Sequence, residues 1–253
     1  MLVGETISVA FSSIRANKLR SVLTMLGIII GVGAVIVVVS LGTGAQKAVE
    51  ERITALGANL LQIYPGQSFQ GGRASEQRVS MTVDDAEALR RDARLLSGVV
   101  PEMRRSLQIK YGSQNLNVNV TGTTANYATV RNFKVQYGRM FTQGDDESRQ
   151  RYAVVGSQVP ELLNVNAAAL IGQTLQIRGI PFEVVGVLEK KGSQGFFNPD
   201  EQILIPLQTA RYRVFGTDRL NQISVQVATN VPVEQAMVDI ERIMRREHKI
   251  RPG

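Results

Sequence analysis

Cysteine does not occur in this chain of 253 residues, and its absence excludes several kinds of site. Without a thiol the chain has no disulfide bridge, no metal site built on thiolates and no cysteine nucleophile. Tryptophan is also absent, and aromatic residues make up only 6% of the chain. A surface that stacks the bases of single-stranded nucleic acid needs aromatic side chains, so we predict no nucleic-acid partner.

Residues for acid–base or metal chemistry are scarce as well. The only histidine, His248, lies in a basic tail, and a catalytic histidine would need an orienting acid and a nucleophile within reach. We therefore predict that His248 is a solvated residue at a helix end. The run Asp145-Asp146-Glu147 is predicted to lie in a solvated loop. The sequence thus predicts no catalytic, cofactor-binding or metal-binding residues.

A phosphate-binding loop of the form GxxxxGK[ST] is also missing from the sequence. The stretch "GTGAQK" at residues 42–47 shares some of the letters but lacks the required spacing. We therefore expect this chain not to hydrolyse ATP by itself.

What the chain does have is one long apolar run. Residues Ser21 to Gln46 carry no charge, and as a helix they would be about 39 Å long. The most apolar part, Val22 to Leu41, would span about 30 Å, the hydrocarbon thickness of a bilayer. A buried core helix would need a protein large enough to surround it, and a signal peptide has a shorter apolar core that starts earlier. We predict a transmembrane helix at residues 21–46.

Three glycines in this run predict close packing with another helix. Gly27 and Gly31 are about one turn apart, and Gly33 follows. Glycines one turn apart let a second helix approach closely in lipid, where packing rather than the hydrophobic effect drives association. Because glycine lowers helix stability, a partner helix is favoured over a lone anchor.

Basic residues on the two sides of the run predict its orientation. Arg15, Lys18 and Arg20 precede it, whereas two basic residues follow it closely. This excess favours a cytoplasmic N-terminus and a large domain on the other side of the membrane. Residues 1–20 are then a cytoplasmic or interfacial segment. Within it, residues 2–14 have the spacing of an amphipathic helix that lies on the membrane, and a frayed terminus is the alternative.

The net charge of +7 is concentrated near the end of the chain. Residues 242–253 hold five basic residues and one acidic residue. Such a segment can approach the anionic headgroups of membrane lipid, and it also places cations at the C-terminal end of a helix, where the helix dipole favours them.

Residues 47–103 show helix and strand patterns in turn. The first helix is predicted to continue to Leu56 and to stop at Gly57. A strand is predicted in "NLLQIYPG", followed by a polar, glycine-rich loop over residues 66–80. A second helix is predicted to begin at a capping box that starts with Thr82. Its apolar face comprises Ala86, Leu89, Ala93 and Leu96.

Alternating apolar residues predict strands in most of the remaining chain. We predict hairpins at residues 107–120 and 175–187, a strand with a short helix at 152–163, and a strand at 223–227. A last helix opens at Pro232. Its apolar face comprises Val233, Ala236, Met237, Ile240, Ile243 and Met244.

These patterns together predict an α+β fold that follows the transmembrane helix. An extracytoplasmic mixed α/β subdomain is expected to be formed by two separate parts of the chain, residues 47–103 and 217–253. A β-rich subdomain, residues 104–216, is expected to be inserted between them.

Several stretches in order along the chain resemble one family. The start, "RANKLRSVLTMLGIIIGV", resembles the opening of MacB-like permeases of ABC transporters, a group that includes the FtsX-like permeases. The later stretches "LGANLLQIYPG", "YGRMFTQGD", "AVVGSQV" and "PFEVVGVLEKKG" resemble parts of the periplasmic core domain of these permeases. The resemblance covers nearly the whole chain. It implies an α/β part with a β-rich insertion and a cytoplasmic N-terminus in the bacterial inner membrane.

The resemblance also implies a function and partners. It implies the N-terminal part of a permease that couples helix movement, driven by a separate ABC ATPase subunit, to the export of periplasmic substrates such as drugs, peptides or lipoproteins. The expected partners are a second permease in a homodimer, a periplasmic adaptor protein, an outer-membrane channel and membrane lipid. Two alternatives stay open. One is an FtsX-like, ATP-gated scaffold that activates a cell-wall hydrolase, and the other is a binding module anchored by a single span.

The chain departs from the family pattern in one respect. Permeases of this kind have three further membrane helices after the outer domain, whereas this sequence stops at Gly253 without them. We therefore expect a chain that cannot transport by itself. Whether residue 253 is a natural end is left open.

Overall fold

The computed structural model describes residues 16–56, 59–70, 73–78, 80–192 and 198–249. The chain divides into two compact units, residues 1–55 and 56–253. The predicted amphipathic segment at residues 2–14, Arg15 and the predicted helix stop at Gly57 lie outside the described residues.

In the described part of the first unit there is one long helix, α1, which spans Lys18–Leu56. Its part from Lys18 to Lys47 is long and apolar enough to cross a membrane, and its most apolar window has no buried residue. Two threonine hydroxyls in this part donate to backbone carbonyls within the helix, Thr24 to Arg20 at 2.9 Å and Thr43 to Val39 at 3.0 Å. The predicted continuation of the helix to Leu56 is confirmed.

The second unit is built around a mixed sheet. Its strands are β1 Leu60–Ile63, β4 Leu96–Tyr111, β5 Gln114–Thr123, β6 Val135–Gly138, β7 Tyr152–Val155, β8 Thr174–Ile177, β9 Ile180–Leu188, β10 Gln202–Pro206 and β11 Gln222–Val227. Strands β2 Gln67–Gln70 and β3 Arg73–Arg78 form a separate antiparallel pair.

The sheet has the strand order β1-β11-β4-β5-β10-β7-β9-β6, and β8 pairs with both β4 and β9. The pairs β5–β10 and β7–β9 are parallel, and the other pairs are antiparallel. The first strand of the sheet pairs with the last, so that residues from both ends of the unit lie side by side.

Both predicted hairpins are present, and their turns explain the registers. The β4–β5 turn contains Gly112 with a φ of +57°. The β8–β9 turn consists of Arg178 and Gly179, with φ values of +50° and +79°. A turn with positive φ at both central residues, as in β8–β9, or at the first of them, as in β4–β5, has a twist that matches that of paired strands, and this fixes which residues face each other.

Helices and short turns pack on the sheet. They are α2 Val83–Asp92, α3 Tyr127–Val130, α4 Gln143–Glu147, α5 Val159–Leu162, α6 Leu207–Thr209 and α7 Val233–Glu247, with 3₁₀ turns at Ala168–Leu170 and Pro199–Glu201. A π-helical turn, Ala210–Phe215, follows α6 directly. Helix α2 contacts both α7 and β4.

The sheet is buried on both faces. Val99 and Ile203 belong to one hydrophobic cluster, whereas their chain neighbours Val100 and Leu204 belong to a second cluster. Because successive side chains of a strand point to opposite faces, the two clusters are the cores on the two sides of the sheet. The larger cluster includes Val83, Ala86, Ala88 and Leu89 of α2 and Ile240 and Ile243 of α7.

Two local predictions were wrong, and strand β10 was missed. The predicted loop at residues 66–80 contains β2 and β3, whose two-residue connection, Gly71-Gly72 in the sequence, is a hairpin signal that outweighs the low strand propensity around it. Helix α2 ends at Asp92, and Leu96, predicted on its apolar face, begins β4. Strand β10 was not predicted, because its short apolar sequence is buried on both faces and lacks alternation.

The fold-class prediction of an N-terminal apolar helix followed by a mixed α/β domain is confirmed. The division into an α/β part, residues 47–103 and 217–253, and an inserted β-rich part, residues 104–216, stays a prediction. Strand β4 runs through residues 103 and 104 without a break.

Candidate functional site

A buried charged group lies where β4 and β11 pair. The side chain of Glu102 is fully buried. One carboxylate oxygen accepts a hydrogen bond from the Ser224 hydroxyl at 2.7 Å, and the other accepts one from the Arg104 guanidinium at 3.0 Å. A buried carboxylate is tolerated when it is paired and hydrogen-bonded in this way. These hydrogen bonds join β4, an early strand of the domain, to β11, a late one.

Asp85 links the start of α2 to the end of α7. Its carboxylate accepts a hydrogen bond from the backbone N–H of Thr82 at 2.7 Å, which confirms the predicted capping box. Its other oxygen lies 3.1 Å from Nε2 of His248. The prediction of a solvated His248 was therefore wrong, because α7 ends beside the capped start of α2 and the imidazole is only 20% exposed.

The acidic run at residues 145–147 is ordered rather than a solvated loop. It forms most of α4, which Thr142 caps reciprocally with Asp145. This cap turns Asp146 inward, where its carboxylate accepts a hydrogen bond from the backbone N–H of Gln208 at 2.7 Å. Burial raises the pKa of Asp146 above its ordinary value, although that hydrogen bond opposes the rise. The carboxylate therefore joins α4 to α6.

A cleft of about 440 Å³ lies between α2 and the α4–α6 region. Charged side chains of both signs line it, including Glu87, Arg90 and Glu147. The sequence did not predict this cleft, because α2, α4 and α6 are each separated from the next by more than 50 positions in the chain.

A wider, mainly apolar groove of about 720 Å³ lies between β1 and α7. Leu61, Ile63 and Tyr64 line one side, and Met237 and Met244 line the other. Met237 was predicted on the buried face of the last helix, but it is 54% exposed because it lies on the groove side of α7. The buried face of α7 consists of Ala236, Ile240 and Ile243.

Exposed arginines connect α2 and α7 through one aspartate. Asp92 accepts hydrogen bonds from Arg91 at 2.9 Å and from Arg246. The two guanidinium groups, Arg91 first, lower the pKa of Asp92 to about 2. Asp92 therefore stays ionised at any physiological pH. Since the pair is exposed, we attribute to it only a small share of stability.

These arrangements hold the domain together and shape its surface. Over residues 16–56, 59–70, 73–78, 80–192 and 198–249, no group of three acidic or histidine side chains could hold a metal ion.

The residues predicted for helix packing all lie on α1. Gly27 and Gly31 lie about 40° apart around the helix, whereas Gly33 lies about 140° from the midpoint of that pair, at 100° per residue. A side chain added at any of the three would meet nothing within 4 Å in this single chain. Lys18 and Arg20 lie in the first turn of α1, and Arg15 lies outside the described residues. Whether these residues contact a partner stays a prediction.

The sequence is similar to a family of known domains. Residues 21–243 match the family model of the MacB-like periplasmic core domain. The chain is 32% identical over 248 residues to the macrolide export ATP-binding/permease protein MacB of Bdellovibrio bacteriovorus, covering 97% of this chain and 38% of that protein. It is 35% identical over 249 residues to the protein of the same name from Chlorobium phaeobacteroides, covering 96% and 37%. The chain thus spans less than two fifths of the length of these relatives.

Solved structures share the fold. The periplasmic region of MacB from Actinobacillus actinomycetemcomitans superposes with a TM-score of 0.66 at 21% identity, covering 79% of this chain and 88% of that one. The extracellular domain of the noncanonic ABC-type transporter YknZ from Gram-positive bacteria superposes with a TM-score of 0.63 at 21% identity, covering 76% and 96%. At these identities the likeness concerns the fold alone.

Proposed function

Because this chain belongs to the family of MacB-like periplasmic core domains, we propose that it is the N-terminal part of an ABC transporter permease. In this proposal the apolar part of α1 spans the bacterial inner membrane with its N-terminus in the cytoplasm. The mixed α/β domain then lies outside the cytoplasm, where it meets the substrates that are exported.

The continuity of α1 is the observation that carries the proposal. The helix runs without a break from its apolar part to Leu56, only four residues before β1 begins at Leu60. Its 39 residues correspond to a rod about 58 Å long. A rod of this kind can transmit a displacement from one side of a membrane to the other. Since β1 is hydrogen-bonded to β11, a pull on β1 would act on the sheet itself.

The energy for such a movement has to come from another subunit. A conformational change is driven only by a difference in interaction free energy between two states. We propose that a separate ABC ATPase supplies it, and that two permeases act as a homodimer. A periplasmic adaptor, an outer-membrane channel and contacts with membrane lipid complete the proposed assembly. The names of the relatives, which are macrolide exporters, support drugs as one substrate class. Peptides and lipoproteins are the other classes that we propose.

A chimera tests the proposed function. We would replace the matching segment of the B. bacteriovorus relative by residues 21–243 of this chain and express the chimera in cells that lack macrolide exporters. We expect macrolide tolerance above that of the same chimera with an inactivated ATPase site. Membrane insertion and ATP hydrolysis would be measured in parallel. A chimera that inserts and hydrolyses ATP without raising tolerance would contradict macrolide export. Release of peptidoglycan fragments that depends on the chimera would instead favour the signalling scaffold.

The proposed orientation predicts which positions an external reagent can reach. Because the chain has no cysteine, Ser8→Cys and Ser113→Cys each create a unique thiol. Ser113 is exposed in the β4–β5 turn, and Ser8 precedes α1. We expect a membrane-impermeant thiol reagent to label position 113 in intact spheroplasts and to leave position 8 unlabelled. Lysed cells serve as the control for reactivity, and labelling of position 8 in intact cells would refute the orientation.

The glycines of α1 predict which face of the helix packs against a partner. Gly27→Leu and Gly31→Leu are expected to reduce crosslinking between helices in the membrane several-fold, because leucine prevents close approach while it inserts well into lipid. Gly33→Leu, on the other side of the helix, tells whether that face packs as well. Crosslinking that none of the three substitutions changes would show that these glycines have no close partner.

A further inference from the structure

One edge of β4 is shared by two strands that do not meet. Strand β11 pairs with β4 from Leu96 to Glu102, and β8 pairs with it at Ile109 and Lys110. The opposite edge of β4 is occupied by β5 from Glu102 to Tyr111. Residues 103–108 therefore lie beside a gap in the sheet, at the point where β11 and β8 diverge.

The gap opens into a crevice of about 310 Å³. At about 30 Å³ per water molecule this volume holds roughly ten waters, or one group the size of an amino acid derivative. The buried side chains of Met81, Met103 and Phe215 contribute an apolar lining. Hydrogen bonds fix the walls: the Asn221 side chain accepts from the backbone N–H of Arg104 at 2.5 Å, and Leu220 donates to the Met81 carbonyl at 2.7 Å.

Three arginines accompany this apolar lining. Arg104, Arg105 and Arg219 all line the crevice, and no carboxylate lines it among the described residues. Arg104 donates to the buried Glu102. Arg105 lies over the Phe215 ring, with 5.4 Å from its guanidinium carbon to the ring centre. Within the described part of the chain, neither Arg105 nor Arg219 belongs to an ion pair.

We infer that the crevice is a binding site for a small carboxylate that carries an apolar substituent. Arg105 and Arg219, which form no ion pair among the described residues, give the crevice a positive potential that attracts anions. The planar guanidinium group matches the geometry of a carboxylate and can donate two parallel hydrogen bonds to it. Phe215 and the exposed Pro65, which both line the crevice, receive the apolar substituent, which hydrated inorganic anions lack. The inference concerns the domain itself and does not depend on the proposed transport function.

The test is a titration of the full chain in detergent micelles with N-acetyl-leucine, followed by ligand-observed NMR. N-acetyl-leucinamide has the same apolar part without the charge, and acetate has the charge without the apolar part. Empty micelles correct for partitioning into detergent. We expect saturable binding of N-acetyl-leucine that is at least tenfold tighter than binding of either control compound, because hydrogen bonds to a charged group and apolar contact both contribute.

Variants assign this binding to the crevice. The double substitution Arg105→Gln with Arg219→Gln is expected to weaken binding of N-acetyl-leucine at least tenfold. Arg94→Gln changes an exposed arginine outside the crevice and is expected to leave the affinity unchanged. Circular dichroism of each variant establishes that it is folded. Equal binding by the double variant and the wild type would overturn the inference. So would equal affinities for the acid and its amide, or a signal no larger than that of empty micelles.

Discussion

Gly156→Ala is expected to destabilise the α/β domain by about 3 kcal/mol, at the upper end for overpacking of a core. Gly156 follows β7, and its backbone N–H donates to the Gln202 carbonyl at 2.8 Å. A Cβ atom at this position would overlap the carbonyl oxygen of Asp200 and lie 2.7 Å from its carbonyl carbon. Those atoms cannot rotate away, because the Asp200 carboxylate is itself held by the backbone N–H groups of Lys191 and Gly192.

Gly144→Ala is the matched control for this prediction. Gly144 lies in the exposed helix α4, where a Cβ would meet only the Thr142 hydroxyl at 3.8 Å. Alanine is the better helix former, so we expect unchanged or slightly higher stability. The measurement is urea unfolding in mild detergent followed by circular dichroism. Unfolding of the two variants at the same urea concentration would contradict the predicted steric overlap at Gly156.

Glu102→Ala is expected to cost about 3 kcal/mol or more in the free energy of unfolding, as in other broken buried ion pairs. The substitution leaves the guanidinium of Arg104, which is only 22% exposed, without this carboxylate, and it removes the acceptor for the Ser224 hydroxyl. It also leaves a cavity between β4 and β11, the two strands that join distant parts of the chain.

Glu102→Gln tests how much of this loss is due to the charge, because glutamine keeps the shape of the side chain. The amide keeps the size of the side chain and one acceptor, so we expect a loss of about 1–2 kcal/mol, close to that of one charge-assisted hydrogen bond. Both variants would be compared by the same urea unfolding experiment. Equal stabilities of the alanine variant and the wild type would show that the group at Glu102 contributes little.

The sequence predicted elements whose signals are local. Helix α1 follows from an uninterrupted apolar run, α2 from the capping box at Thr82, and the β8–β9 hairpin from Arg178-Gly179. In each case a few neighbouring residues decide the backbone conformation, so no information about the rest of the chain is needed.

The parts that the sequence did not predict depend on contacts between distant residues. Strand β10 is identified by its partners, since it lies parallel to β5 and antiparallel to β7 and is buried on both faces. His248 has the composition of a solvated tail, and only the packing of α7 on α2 brings it to Asp85. The arginine crevice is likewise formed by residues on β4 and near residues 80 and 219, whose proximity no local pattern indicates.

The pairing of the first strand of the sheet with the last has a consequence for how the domain is made. Leu60 of β1 faces Gln226 of β11, about 170 residues later in the chain. At roughly 5–20 residues per second, synthesis of that stretch takes about 8 to 34 s. During this time β1 has no strand to pair with, and neither has the β11-facing edge of β4 once that strand has been made. Contacts this distant in sequence also form slowly. The nascent domain therefore presents open strand edges until its last strand emerges, and this interval is when we expect it to depend most on chaperones.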